Sequence, residues 1–333
     1  MSSAHFEDRL PFHELETETF DYVIVGTGII SALRAALLSQ QGNKVLVVSK
    51  EAEYGAPYFQ DFNPVAPLPI HSGGALVELL IQTGAYKYLQ FEPISSIAIY
   101  EDGELRTVPL SKEALMNDQR TSLVEKRLLM RAMSNANING LSYKLKDLLS
   151  SMLGFPDDEF LEEELKIFVN GIGKFLSAER VDRCAIKPVP FAPCLVPING
   201  SGEVVQALCR SAAVSGAVFV LNQKDLEICD GYVRSESNGW RVNCNNILQE
   251  QYQCQDVLRW KTTSSNSILY RLKETRTTIL HSNGFYYAWG QDLTQLSRFL
   301  DEHLPFVIKD SQASSFSPIL RESDFRGLLP EAG

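Results

Sequence analysis

The pattern of apolar and polar residues is clearest near the start of the chain. Residues 21–25 form a short apolar run, Gly26-Thr27-Gly28 forms a turn, and 29–41 carry apolar residues at helical spacing. A second β-rich run follows at 44–48. This order predicts a β-α-β unit, which begins a parallel sheet in a dinucleotide-binding type of fold.

Later segments predict a mixed α/β protein that is interrupted by a run of helices. An apolar helix is expected at 75–83, and a hairpin at 94–108 turns through Glu101-Asp102-Gly103-Glu104. Residues 111–174 alternate apolar and charged positions with helical period, and mixed α/β character returns after a proline-rich stretch. The expected elements of these two regions are helices at 123–133, 141–153, 160–175, 200–215 and 292–304, strands at 218–221, 277–280 and 285–289, and a hairpin at 232–242 through Asn238-Gly239.

The predicted fold class is therefore α/β. An FAD/NAD(P)-binding-like domain, Rossmann-type and flavoprotein-like, is expected from residues 1–108 and 188–333, with an inserted all-helical subdomain at 109–187. The length of 333 residues suits about two domains, and 44% hydrophobic with 22% charged residues is ordinary for a globular protein.

Charge and cysteine usage exclude several functions. A net charge of −10 argues against nucleic-acid binding, because that binding depends on clustered Lys and Arg. The six cysteines form no CxxC pair and the five histidines are scattered, so no metal site is expected. Residues 1–19 are acidic and lack the apolar segment of a signal peptide. The expected location is the cytoplasm, in soluble form.

The glycine turn lacks two parts of the dinucleotide fingerprint. Ser31 stands where a third glycine allows close packing of helix and strand. Ser49, followed by Lys50, stands where an acid binds the ribose hydroxyls. Two interpretations remain: an FAD or NAD site in which Glu51 or Glu53 replaces the acid, or an inherited scaffold in which Gly26 and Gly28 serve only the geometry of the turn.

Several ordered segments resemble one family. They include "DYVIVGTGIISALRAALLSQQGNKVLVVSKEAEYG", "SGGALVELLIQTGAYKYLQF", "DGELRTVPLSKEAL", "LVEKRLLMRAM" and "PCLVPINGSGEVVQALCRSAAVSGAVFVL". These segments are similar to the Rab GDP-dissociation inhibitor and Rab escort protein superfamily. "VPLSKEAL" together with "EKRLLMR" resembles the escort branch more than the inhibitors.

The resemblance implies a regulator without catalytic residues and without a cofactor. Its expected partners are GDP-bound Rab GTPases, the Rab geranylgeranyltransferase αβ heterodimer and a geranylgeranyl lipid sheltered by the helical subdomain, with only transient membrane contact. The residues implied for Rab binding are Tyr54, Glu203, Arg210, Phe219 and Val220, and those implied for transferase docking are Tyr143, Leu145 and Leu149.

Each of these residues also has a purely structural interpretation. Glu203 suits the dipole at a helix start, Arg210 suits a solvated helix face, and Tyr54 suits packing on the second strand. In the helical subdomain, Leu145, Leu148, Leu149, Met152, Phe168 and Val169 are expected to be core residues. Three other functions remain open: an inhibitor that extracts prenylated Rabs, an FAD-dependent oxidoreductase, and a degenerate scaffold that binds no GTPase.

Overall fold

The fold is given by a computed structural model. It describes residues 18–55, 59–60, 63–64, 69–71, 74–94, 96–110, 112–135, 138–152, 194–236, 238–249, 254–263, 267–272, 277–282, 285–290, 296, 299, 307–318, 325 and 328–329. The strands are β1 Thr19–Val25, β2 Val45–Val48, β3 Phe59–Gln60, β4 Asn63–Pro64, β5 Ile70–His71, β6 Phe91–Pro93, β7 Ser96–Glu101, β8 Glu104–Thr107, β9 Cys194–Pro197, β10 Val218–Val220, β11 Leu226–Cys229, β12 Tyr232–Ser235, β13 Trp240–Gln249, β14 Cys254–Thr262, β15 Ile268–Leu272, β16 Thr277–Ser282, β17 Phe285–Gly290 and β18 Val307–Pro318. The helices are α1 Ile29–Gln40, α2 Ala75–Thr83, α3 Lys112–Asn117, α4 Leu123–Asn135, α5 Tyr143–Met152 and α6 Ser201–Val214, with a short 3-10 helix at Ala85–Tyr88.

The predicted β-α-β unit is confirmed. β1 and β2 are parallel neighbours, and Val23 lies opposite Leu46 in their register. All four residues of β2 are buried, which explains why this strand is a continuous apolar run rather than an alternating one. Gly42, in the left-handed conformation at φ +85°, follows α1 and turns the chain towards β2.

One compact unit contains this motif and comprises Met1–Ala56 and Val205–Gln251. Its six-stranded sheet has the order β10-β2-β1-β13-β12-β11. The first four strands are parallel, and β13 is long enough to pair with β1 at its end and with β12 at its start. One face packs against α1 and α6, where Ala36 and Ala212 join the core. The other face carries a second core, which is formed by residues of the sheet itself and includes Val233 and Trp240.

The other compact unit comprises Pro57–Val204 and Tyr252–Gly333. Its seven-stranded sheet has the order β18-β14-β17-β16-β15-β7-β8. One face of this sheet shares a core with the helical residues Leu129 and Leu149. The other face is rich in aromatic residues and includes Trp260, Tyr270 and Phe299.

The domain division expected at 108 and 188 stays a prediction, and the compact units have their bounds at Ala56, Val204 and Gln251. The hairpin of β7 and β8 belongs to the second sheet, because β7 pairs in parallel with β15. The helices α3, α4 and α5 fall within the same unit as strands β14 to β18. The function expected of 109–187 stays a prediction.

Most local predictions agree with the observed elements. The helix at 75–83 and both hairpins are confirmed, while β14, β15 and β18 were not predicted. The helix expected at 160–175 lies outside the described residues, and of the helix expected at 292–304 only Leu296 and Phe299 are described, both helical and buried. Within the described ranges, no helix combines the length and hydropathy needed to cross a membrane.

Candidate functional site

The glycine turn keeps the backbone geometry of a nucleotide-binding loop. Gly26 has φ +100°, and its N–H donates to the carbonyl of Val48 at 2.8 Å. Gly28 is extended at φ −68° and ψ 176°, and no side chain caps the helix that follows. Because glycine has no side chain, Gly28 provides no side-chain acceptor for the first N–H groups of α1.

Thr27 fixes the loop that follows β2. Its side chain is only 2% exposed. Its hydroxyl accepts the Gly55 N–H at 3.2 Å and donates to the Glu53 carbonyl at 3.4 Å. Because both bonds reach the segment on either side of Tyr54, the glycine turn determines where that aromatic ring lies.

The residues present do not fit the ribose half of a dinucleotide. Ser49 occupies the position of the acid, is 3% exposed, and accepts the Glu51 N–H on its hydroxyl at 3.2 Å. Its own N–H donates to Val220, and its carbonyl accepts the Gln223 N–H at 2.9 Å. The strand end that receives a ribose in dinucleotide proteins is hydrogen-bonded here to the chain itself.

Tyr54 and Phe219 form the centre of a partly exposed surface. Their ring centroids are 5.5 Å apart at an interplanar angle of 69°, an edge-to-face contact. Tyr54 is 38% exposed, while Phe219 is half-buried. Burial, and then the nearby Cys209 thiol, raise the pKa of the Tyr54 phenol above its usual value.

Arg210 is a charged residue of the helix that covers the same face of the sheet as Phe219. It is an exposed residue of α6 and directly follows Cys209, which is buried and whose pKa burial raises to about 12. The phenol of Tyr54 and the thiol of Cys209 are therefore both neutral near pH 7. Arg210 is the charged residue that follows Cys209 along α6.

Glu203 lies in the first turn of the same helix and has a structural role. Its carboxylate accepts the Asn199 side-chain amide at 3.0 Å and the Asn199 N–H at 3.4 Å. This arrangement closes the helix start in the manner of a capping box.

The separation of Glu203 and Arg210 corresponds to about two helical turns, which places both on one face of α6. The boundary between the compact units falls just after Val204, so a shared interface role with Tyr54 stays a prediction.

The structure separates Val220 from the aromatic pair. Side chains alternate across a strand, and Phe219 packs with the helix-covered core while Val218 and Val220 pack with the opposite one. Tyr54, Phe219 and Arg210 therefore belong to the same side of the sheet. The Val220 side chain does not.

The residues predicted for transferase docking have different environments. Tyr143 is 74% exposed at the start of α5, whereas Leu145 is 2% exposed and Leu149 fully buried. The alternative interpretation as core residues is confirmed for both leucines, and also for Leu148 and Met152. Only Tyr143 presents side-chain surface to a partner here. Phe168 and Val169 lie outside the described residues.

Sequence reasoning missed two buried residues of this unit. Gln223 is 4% exposed, and its side-chain oxygen accepts the Trp240 indole N–H at 2.9 Å and the Asn238 amide at 2.8 Å. Cys209 packs near Tyr54 from within a helix. Cys209 lies within one of the segments that resemble the superfamily, but neither residue was singled out, because the contacts of both depend on residues far away in the sequence.

Comparison with known proteins gives distant similarities. No family model matches the chain. It is 24% identical to a probable secretory pathway GDP dissociation inhibitor of Schizosaccharomyces pombe, over 64% of this chain and 59% of that protein. It is 22% identical to a Rab proteins geranylgeranyltransferase component A of Drosophila melanogaster, over 62% of this chain and 53% of that protein. The chain thus spans little more than half the length of these curated relatives.

A solved structure supports the fold over nearly the whole chain. The crystal structure of a Rab GDI from Plasmodium falciparum superimposes with a TM-score of 0.63 at 17% identity. The match covers 90% of this chain and 89% of that one. The two compact units described above therefore correspond to a known architecture.

Proposed function

We propose that this chain, a member of the superfamily of Rab GDP-dissociation inhibitors and Rab escort proteins, binds Rab-class GTPases in their GDP-bound form. The observation that carries the proposal is the surface formed by Tyr54, Phe219 and Arg210. It lies on the unit whose glycine turn remains but whose ribose acceptor is absent. A nucleotide-type scaffold of this kind supports recognition of a folded partner.

The composition of this surface suits a protein interface. Tyr and Arg are enriched among the residues that contribute most to binding, and aromatic side chains lose little entropy when they are already packed. Phe219 holds the Tyr54 ring by its edge, and Thr27 holds the backbone on either side. Tyr54 is therefore largely ordered before a partner arrives.

Arg210 supplies electrostatic selectivity in this proposal. Although the chain as a whole carries a net charge of −10, the exposed Arg210 is a local positive charge, which favours an acidic group at the matching position on the partner. A carboxylate from the GTPase that meets the guanidinium gains a charge-assisted hydrogen bond.

Within the superfamily, we propose the role of an escort protein. The protein presents the GTPase to Rab geranylgeranyltransferase, contributes no catalytic group, and shelters the attached lipid until a membrane receives it. The support is the resemblance of "VPLSKEAL" and "EKRLLMR" to the escort branch. Burial of the isoprenoid contributes about 0.8 kcal/mol per CH₂. The second candidate is a GDP-dissociation inhibitor, since a relative carrying that name has similar identity.

One reconstitution tests this role. GDP-loaded Rab, the transferase heterodimer and geranylgeranyl diphosphate are combined with and without the chain, and lipid incorporation is measured. An escort protein makes incorporation depend on its presence. If the chain instead only releases prenylated Rab from membranes, the inhibitor role replaces the escort role. If it does neither, the proposed function is wrong.

A further inference from the structure

The outermost strand of the first unit has a backbone edge that no strand among the described residues pairs with. β10 ends the order of the six-stranded sheet and pairs only with β2 among the residues that the structure describes. In this pairing Val218 lies opposite Leu46, Phe219 opposite Val47, and Val220 opposite Val48.

Two hydrogen bonds determine which backbone groups of β10 face outward. The Ser49 N–H donates to the Val220 carbonyl at 3.0 Å, so Val220 faces β2. The Gly26 N–H donates to the Val48 carbonyl at 2.8 Å, so Val48 faces β1 and Val47 faces β10. Backbone groups alternate along a parallel ladder. The N–H and C=O of Phe219 therefore point away from the sheet.

β10 is a short strand of three residues, and it carries neither charged side chains nor proline, two features that often protect a free edge. Exposed edges typically carry charged side chains or proline, whereas β10 consists of Val218, Phe219 and Val220. All three side chains are half-buried rather than exposed. The outward backbone groups of Phe219 lie directly beside the ring contact with Tyr54.

We infer that the bound GTPase adds an extended segment of its chain to β10. The inference rests on the proposed function and names how the partner is held. The outward N–H and C=O of Phe219 are a donor and an acceptor at the spacing found in a strand. The backbone of another extended chain can form hydrogen bonds with both. Tyr54 and Arg210 then contact the side chains of that segment and of its surroundings, so the backbone gives affinity and the side chains give selectivity.

Amide hydrogen exchange of the full chain, resolved by residue with NMR, tests this inference. In the free protein, the Phe219 amide exchanges faster than those of Val218 and Val220, which already donate to β2. On saturation with GDP-loaded Rab, exchange at Phe219 slows at least ~10-fold, while the other two change little. Unchanged exchange at Phe219 in a formed complex contradicts the added strand. A Phe219 amide that is already slow in the free chain contradicts it too.

Proline substitution gives a second readout. Phe219→Pro removes an N–H that makes no bond to β2, so the melting temperature of this variant stays near that of Phe219→Ala. Val218→Pro removes an N–H that bonds to β2, so this variant melts at a clearly lower temperature. Phe219→Pro binds the GTPase at least ~10-fold more weakly than Phe219→Ala, since only the alanine variant keeps the donor. Equal affinities of these two variants overturn the inference. Binding of the GTPase by the wild-type chain is measured first. If the wild-type chain does not bind it at all, the proposed function is contradicted as well.

Discussion

The ring of Tyr54 meets the ring of Phe219 edge to face, with 5.5 Å between their centroids. This contact joins the loop after β2 to the edge strand β10. Neither residue holds its position alone: Thr27 fixes the backbone around Tyr54, and the ladder with β2 fixes Phe219. The pair is therefore part of the fold as well as part of the candidate surface.

The aromatic contact is expected to appear as a coupling energy in stability. In a cycle of Tyr54→Leu and Phe219→Leu, urea unfolding gives an interaction of about 0.5–1.5 kcal/mol between the two rings. A second cycle pairs Tyr54→Leu with Val220→Ala, whose side chain lies on the opposite face, and gives a value near zero. Additive effects in both cycles mean that the ring contact does not form.

Gly26 is expected to be required for its backbone conformation rather than for space. At φ +100°, Gly26→Ala costs about 1–2 kcal/mol of unfolding free energy. A Cβ there would meet only the Ser31 hydroxyl, at 3.8 Å, an ordinary contact. The additional change Ser31→Gly therefore does not restore stability. Gly28→Ala, at a negative φ, costs less. Recovery in the double variant would mean that the cost is steric.

Truncation of the side chain is expected to reduce stability strongly at Leu149 and hardly at all at Tyr143, the two ends of the proposed docking segment. Leu149→Ala leaves a cavity in the core and costs about 2–5 kcal/mol. Tyr143→Ala removes a 74% exposed ring and stays within about 0.5 kcal/mol of wild type. Thermal or urea unfolding separates them. Reduced transferase binding in the stable Tyr143 variant supports docking there, and unchanged binding removes this residue from the proposal.

The start of α4 is expected to lose stability in acid. Glu125 accepts the Ser122 N–H at 2.8 Å and contacts Lys144 at 3.3 Å. The backbone bond from Ser122, then the Ser122 side chain and Lys144, lower the pKa of Glu125 to about 2. The pKa is depressed on folding, so the stabilisation is present above the unfolded pKa of about 4.3 and declines as pH falls towards 2.

Glu125→Gln tests this pH dependence. The loss of unfolding free energy relative to wild type is largest near neutral pH and shrinks below about pH 4.3. Glu113→Gln, at an exposed glutamate of α3, is the matched control. If the difference between wild type and Glu125→Gln is the same at neutral and acid pH, the carboxylate contributes nothing through its charge.

Local signals were sufficient for several elements of this fold. Asp102-Gly103 has φ +53° and +78°, the left-handed pair that a tight hairpin needs, and Gly239 has φ +67° in the other hairpin. The first strand and helix were predicted to within two residues, because most of their apolar residues are buried. The resemblance to the superfamily also came from residues in these local elements.

Non-local pairing explains what the sequence did not reveal. β18 reads VIKDSQASSFSP, which lacks the apolar alternation of a typical strand, yet it pairs along nearly its whole length with β14. β13 continues through Asn245 and Asn246 because β1 provides a parallel partner. The Tyr54–Phe219 contact belongs to the same class. The two residues were predicted as members of one Rab-binding set, and only the fold shows that their rings touch.

The affinity of the chain for GDP-loaded Rab, measured by calorimetry for wild type and two charge-reversal variants, tests the central claim most directly. Arg210→Glu is expected to bind at least ~10-fold more weakly, a loss of about 1.4 kcal/mol, while Lys224→Glu, which carries the same charge change at an exposed position outside the surface, binds like wild type. Equal affinity for all three proteins, or no binding by any of them, would contradict the account.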